Sequence, residues 1–349
     1  MVGISNWMSK TAAAALACGA FVPAPSWAAD APKPPGTGPE GTLADYANLN
    51  RESKDVGAQL KGLMQEVFVT QNLEAQNQFR LEYGDRVTLK TINFSSSGNL
   101  VPGHIFTPRS MTRGHRYPTI VLVHGGFHGQ LEPVWFELID TLVEQGYVVF
   151  FPEYRGSRGY GAPIYENDYG VTDVADTLAG ADYIASLPYV DPGRLAIVGE
   201  SRGGGVAMAA IEQQPKKFKV AVDIVGLVDF VAYMAYKPEW RREQIAQESK
   251  SFKGQLPDKN LVQYINVSPI NFVEKIETPV LFIATRGDTS VPVALNTERF
   301  MELMKAYGKV HDSKIYDAAP GGHEMMRGQT PERTDATARI VAWLAKYLK

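Results

Sequence analysis

From Arg86 onward the chain alternates unbroken apolar runs with stretches of helical periodicity. Val87–Phe94 and Leu100–Thr107 read as two strands around a turn at Ser95–Asn99. Thr119–Val123 is apolar throughout, as suits a strand buried on both faces. Leu131–Gln145 carries helical spacing and stops at Gly146, and Tyr147–Phe151 is the next apolar strand. Val174–Ser186 is expected to be a helix, Asp191-Pro192-Gly193 a turn and Leu195–Val198 a strand. Gly203–Ile211 reads as a helix of small residues, able to pack closely on a sheet. Val220–Val225 and Val280–Ala284 are further strands. Phe300, Leu303, Met304 and Tyr307 recur at i, i+3, i+4, i+7, and a last helix runs past Ile340, Leu344 and Leu348. This alternation predicts an α/β architecture, a mostly parallel sheet with helices on both faces. Reactive side chains then belong in loops at the carboxyl ends of the strands.

The pattern before Arg86 is different. Lys10 precedes Thr11–Val22, an apolar run shorter than the roughly 20 residues a membrane span needs. With Ser26-Trp27-Ala28 behind it, this reads as a secretory signal cleaved after Ala28, so the mature protein is expected to be periplasmic or secreted. Residues 29–50, with PKPPGTGPEG at their heart, form a Pro/Gly-rich linker. Residues 51–85 are polar but carry Leu60, Leu63, Met64, Val67 and Val69, the mark of a helix or two lying on something larger. Residues 86–349 make the main domain.

Composition narrows the chemistry. The 349 residues are 44% hydrophobic and 21% charged, with a net charge of -3, so no basic face for nucleic acid is implied. The one cysteine, Cys18, excludes an intramolecular disulfide and a Cys-based zinc site. Immediately after Leu195–Val198 stands Gly199-Glu200-Ser201-Arg202-Gly203, a G-x-S-x-G between a strand and a helix. A serine alcohol is a poor nucleophile unless it is exposed, close to a base and near an anion stabiliser. A sharp strand-to-helix turn exposes Ser201, the flanking glycines relieve crowding, and the helix N-terminus favours a developing oxyanion. The base should be a histidine further along the chain. His311 falls on a surface strand, whereas His323 lies in a glycine loop before the final helix, so His323 is the candidate base. Asp288, just past Val280–Ala284, is the candidate acid, with Asp229 as its substitute and helix capping as its plainer role. The oxyanion donors are expected from the Arg202 backbone and from the turn His124-Gly125-Gly126-Phe127. His124 and His128 have no third ligand at metal-binding spacing; His124 is read as shaping the loop and His128 is left unassigned.

With these words in place the sequence resembles the catalytic domain of the prolyl oligopeptidase family, within the α/β-hydrolase fold. The matching residues are His124–Phe127, Pro152-Glu153-Tyr154-Arg155-Gly156-Ser157-Arg158-Gly159-Tyr160-Gly161, the Ser201 elbow with Gly204, Ser268-Pro269, Thr278-Pro279, Gly287-Asp288, Val291-Pro292 and Gly322-His323. Their order agrees across about Tyr117–Lys349. The resemblance implies Ser201 as nucleophile, Asp288 as acid, His323 as base and an oxyanion role for Gly125–Gly126, with no cofactor and no metal. Three departures bear on substrate. A propeller that filters substrates in the family is expected to be absent, because the region before Arg86 shows no repeat. Arg202 stands where a tyrosine often follows the nucleophile; its side chain would meet an anionic group or an acidic neighbour. His124 stands where some members carry an oxyanion tyrosine; members with histidine there resemble acylaminoacyl peptidase and use backbone donors instead.

Phe230–Leu261 is expected to be a short helical cap. Its Phe230, Tyr233, Tyr236 and Trp240 suit core packing better than substrate, and Arg241 and Arg242 a solvated face. Phe127, Tyr154, Tyr233 and Trp240 are the candidate substrate contacts. The expected substrate is a small ester or a short peptide, esters being turned over faster; the alternatives are a peptidase on short peptides and, more remotely, a binding module without catalysis.

Overall fold

A computed structural model describes residues 43–349, with side chains from residue 56 onward. The signal segment and the first part of the linker lie outside the described residues. One sheet contains β1 (Val87–Ser96), β2 (Asn99–Pro108), β3 (Tyr117–Val123), β4 (Val148–Pro152), β5 (Val190–Glu200), β6 (Val220–Ile224), β7 (Val280–Thr285) and β8 (His311–Tyr316). Their order is β1-β2-β4-β3-β5-β6-β7-β8. The β1/β2 and β2/β4 pairs are antiparallel and the remaining pairs parallel. Every residue of β3, β4, β6 and β7 is buried, which is why these strands read as largely apolar runs.

The helices are α1 (Leu43–Tyr83), α2 (Phe136–Glu144), α3 (Ala162–Tyr165), α4 (Thr172–Ala185), α5 (Arg202–Gln213), α6 (Phe230–Tyr236), α7 (Glu239–Glu248), α8 (Pro257–Asn266), α9 (Thr297–Ala306) and α10 (Pro331–Leu348). On one face of the sheet α4, α5 and α9 bury Val174, Leu178, Val206, Ile211, Phe300 and Met304. On the other, Phe79 joins Leu138 and Ile139 of α2 and Ile340 and Leu344 of α10. Among the described residues no helix is long and apolar enough to cross a membrane.

Several expected boundaries move, each for a physical reason. The linker is shorter than expected and the helical segment is one element, because α1 starts at Leu43, once the Pro/Gly run has ended at Gly41. Leu63, Met64, Val67 and Val69 of α1 are exposed rather than packed; the buried face of the helix is Asn72, Ala75, Gln76 and Phe79. The β1–β2 turn contracts to Ser97-Gly98, both with positive φ, the two-residue turn whose twist matches a hairpin. Asp191-Pro192-Gly193 lies inside β5 instead of ending a loop: the β3–β5 register slips between Tyr117/Val190 and Thr119/Leu195, so the turn signal marks a bulge. In the cap, Pro238 separates α6 from α7, so the aromatic stripe is not on one helix, and the cap continues through α8 to Asn266.

Asp223 is one of the buried carboxyls that give the fold a pH dependence. Asp223 of β6 is packed against the Gly204 and Gly226 backbones with no cation beside it, and burial raises its carboxyl to about 7. An acid whose pKa is higher folded than unfolded keeps its proton in the native state while the unfolded chain has lost it. Stability therefore falls as pH rises from about 4 to about 7, by up to ~4 kcal/mol for this shift. Asp223→Asn is expected to flatten the decline of Tm between pH 5 and pH 8; an unchanged decline would show that Asp223 titrates normally.

Candidate active site

Ser201 occupies the single residue between β5 and α5, with φ 55° and ψ −118°. That left-handed backbone is strained for serine and holds the side chain clear of the sheet. The flanking glycines are required by contact. A Cβ on Gly199 would lie 2.1 Å from the Gly203 carbonyl oxygen, and one on Gly203 would lie 2.2 Å from that of Val123. The turn is anchored by Ser201 N–H donating to the Ile224 carbonyl (2.8 Å) and Leu227 N–H donating to the Ser201 carbonyl (2.9 Å).

Three side chains from separate loops meet here. Ser201 Oγ is 2.8 Å from His323 Nε2, and His323 Nδ1 is 2.7 Å from Asp288 Oδ2. His323 sits in a short turn, Gly322–Glu324, that follows the positive-φ Gly321. Asp288 is nearly inaccessible, and its other oxygen accepts from the Ser290 and Val291 N–H groups, both at 2.8 Å. These N–H groups lie in the loop before Val293, and the turn Val293–Leu295 has no side-chain cap, so Asp288 is not its helix cap; it holds the imidazole. A carboxylate at Nδ1 fixes the tautomer with its proton there, leaving Nε2 free to accept the Ser201 hydroxyl proton. Asp229 is committed elsewhere: Oδ1 caps α6 by accepting from Ala232 N–H, and Oδ2 accepts from Arg299 (2.8 Å). His311 lies half-buried on β8, away from this group.

The Arg202 N–H is the first of α5 and has no acceptor within the helix, so it adds a donor and a partial positive charge beside Ser201. The Gly125–Gly126 loop borders the same cavity, and a Cβ on Gly125 would touch that of Ser201 at 3.1 Å. His124 shapes that loop. Its Nδ1 donates to the Gly125 carbonyl (2.9 Å) and its Nε2 accepts from Ser157 Oγ (2.9 Å). Burial lowers its pKa, so the ring is neutral. Tyr154, expected at the substrate, is instead fully buried under the loop: its ring stacks on His124 at 4.3 Å and its hydroxyl donates to the His124 carbonyl. The Arg202 side chain also points inward, pairing with buried Asp173 and lying over Phe230. Removing it would strand the Asp173 charge at a cost of roughly 3–5 kcal/mol, so it is a structural cation.

The cavity over Ser201 encloses about 240 Å³. Phe127 and Tyr233 line it as expected, together with Leu227 and Val291. Trp240 does not: it is 66% exposed and outside the cavity. Arg241, read from sequence as solvated, lines the cavity, one residue further round α7. Lys237, Glu200, Glu324 and Arg327 also border it and were not anticipated. Glu200 was in plain view inside the G-x-S-x-G, and burial raises its carboxyl to about 7. His128 packs flat on Tyr165 at 3.9 Å and bonds the Gly156 carbonyl. Among the described residues no group of three His, Cys, Asp or Glu is placed to hold a metal.

A model of the prolyl oligopeptidase family matches residues 135–349, more than half of the chain. An acylamino-acid-releasing enzyme of Arabidopsis thaliana is 26% identical over 258 residues, 70% of this chain and 32% of that protein. Acylamino-acid-releasing enzyme 1 of Oryza sativa is 31% identical over 245 residues, 66% of this chain and 30% of its own length. This chain thus spans about a third of the length of these relatives. Among solved structures, the acylaminoacyl peptidase of Pyrococcus horikoshii superposes with a TM-score of 0.67 at 23% identity, over 78% of this chain and 44% of that one. That likeness carries the α/β-hydrolase fold. On the family match, this chain belongs to the prolyl oligopeptidase family.

Proposed function

We propose that the protein is a serine hydrolase that transfers an acyl group to Ser201 and then to water, acting on short acylated peptides and, faster, on short acyl esters. The observation that carries this reading is the unbroken chain Ser201 Oγ–His323 Nε2, His323 Nδ1–Asp288 at the floor of a cavity. Ser201 attacks the carbonyl as His323 takes its proton, and Asp288 stabilises the imidazolium. The carbonyl oxygen, now negative, faces the Arg202 N–H and the Gly125–Gly126 loop. Collapse expels the leaving group, which takes the proton from His323. Water then enters by the same route and releases the acid, restoring Ser201.

The names of the relatives support an acylated amino acid or peptide as substrate. The ordering of esters over peptides rests on chemistry. Amide hydrolysis needs more transition-state help, drawn from binding energy remote from the scissile bond, and a cavity of about 240 Å³ offers few remote contacts. The first 28 residues support action outside the cytoplasm. The test compares kcat/KM for short acyl esters with that for blocked di- and tripeptides. Esters are expected to lead; a blocked peptide exceeding every ester would reverse the ordering, and no turnover of either would overturn the reading.

A further inference from the structure

The charges bordering the cavity are unevenly compensated. Arg327 is paired with Glu324 and approaches Glu132. Lys237 and Arg241 have no carboxylate within salt-bridge distance among the described residues. Lys237 Nζ donates to the Ser290 carbonyl (2.8 Å) and lies over the Tyr233 ring at 4.8 Å. Arg241 Nη1 donates to Gln244 (2.7 Å), and its guanidinium lies over Phe127 at 4.8 Å. Arg241 also reaches the Tyr233 hydroxyl, and both cations keep donors to spare, out of three for lysine and five for arginine. The carboxylate whose charge favours Lys237 is Asp288, already engaged by His323 and two backbone N–H groups.

Both cations are half-buried and border the same cavity as Ser201. Burial, and then the repulsion of Arg241, lowers the Lys237 pKa. Arg241 is also in the first turn of α7, where the helix dipole disfavours positive charge. The rings give each charge a cation–π contact but no opposite charge, so the two cations remain uncompensated at the cavity wall. The break at Pro238 brings this arrangement about: Lys237 directly follows α6 and Arg241 lies in the first turn of α7, four residues apart and both facing the cavity.

We propose that Lys237 and Arg241 form an anion subsite that selects substrates carrying a carboxylate near the scissile carbonyl. This rests on the hydrolase reading above, and the test separates the two. One pair of substrates, N-succinyl-alanine and N-acetyl-alanine thiobenzyl esters, differs by a carboxylate in the acyl part. A second pair, acetyl-Ala-Ala and its C-terminal amide, differs by a carboxylate in the leaving group. In at least one pair the anionic member is expected to have a kcat/KM about tenfold higher, as for one charge-assisted contact, and the pair that responds places the carboxylate. The preference should shrink as NaCl is raised from about 0.05 to about 0.5 M. Lys237→Gln and Arg241→Gln should each bring the ratio towards one, and Lys237→Glu should invert it. A ratio within one preparation is insensitive to the fraction of variant that folds. Ratios near one in both pairs, unmoved by salt or by these variants, would remove the subsite and leave the hydrolase reading intact. No turnover of any of the four would overturn the hydrolase reading and the subsite with it.

Discussion

Ser201→Ala and His323→Ala are each expected to lower kcat by a factor on the order of 10⁶, and the double variant to be scarcely worse than either. The reason is that the 2.8 Å Oγ–Nε2 contact is the route by which the attacking hydroxyl loses its proton. Without the imidazole the serine is an alcohol at neutral pH, and without the serine the imidazole has nothing to activate. The backbone donors of Arg202 and the Gly125–Gly126 loop survive in every variant and set the residual rate. Neither side chain holds the fold. Ser201 is anchored through its backbone to Ile224 and Leu227, so Tm should stay within a few degrees. Single-turnover rates of the three variants decide the matter: losses that multiply would show that the two residues do not act as one unit.

Asp288→Asn should lower kcat by roughly 10⁴ with little change in KM. An asparagine can still accept from Ser290 and Val291 N–H through its carbonyl oxygen. Its amide nitrogen would then face His323 Nδ1 and favour the tautomer protonated on Nε2, which cannot take the Ser201 proton. The effect falls on turnover because Asp288 touches the histidine and not the substrate. Asp229→Asn provides the contrast. Asp229 caps α6 and pairs with Arg299, so its loss should lower Tm and leave kcat within a few-fold. A loss below about tenfold for Asp288→Asn would move the acid's role to another carboxylate.

The catalytic residues were legible because each is announced by its neighbours along the chain. Ser201 sits between glycines that contact alone demands, Asp288 follows the buried apolar strand β7, and His323 lies in a glycine loop after β8 and before the final helix. The parallel core was legible because β3, β4, β6 and β7 are covered on both faces, so nearly every position is apolar, Asp223 of β6 being the charged exception. The walls of the cavity were not. Trp240 and Arg241 are adjacent on α7, and which of them faces Ser201 depends on the phase of a helix that restarts after Pro238. No local pattern sets that phase. Tyr154 lies in the motif that marks the family, yet its ring supports the oxyanion loop from beneath. Asp191-Pro192-Gly193 is a strong local turn signal that falls where β5 bulges out of its pairing with β3, within the strand rather than between elements. Asp223 gave no signal at all, since an aspartate in an apolar strand reads as a defect until the Gly204 and Gly226 backbones that enclose it are known.

Reaction with a fluorophosphonate probe tests the central claim most directly, because the reagent phosphonylates a serine only where a base and an oxyanion site activate it. The folded protein is expected to take up one probe per chain, on the peptide that contains Ser201, with hydrolytic activity lost in proportion to labelling. Ser201→Ala and His323→Ala should take up none at the same exposure. Unlabelled protein that nevertheless turns over esters, or a label on another residue that tracks the loss of activity, would contradict the assignment of Ser201, His323 and Asp288 as the catalytic group.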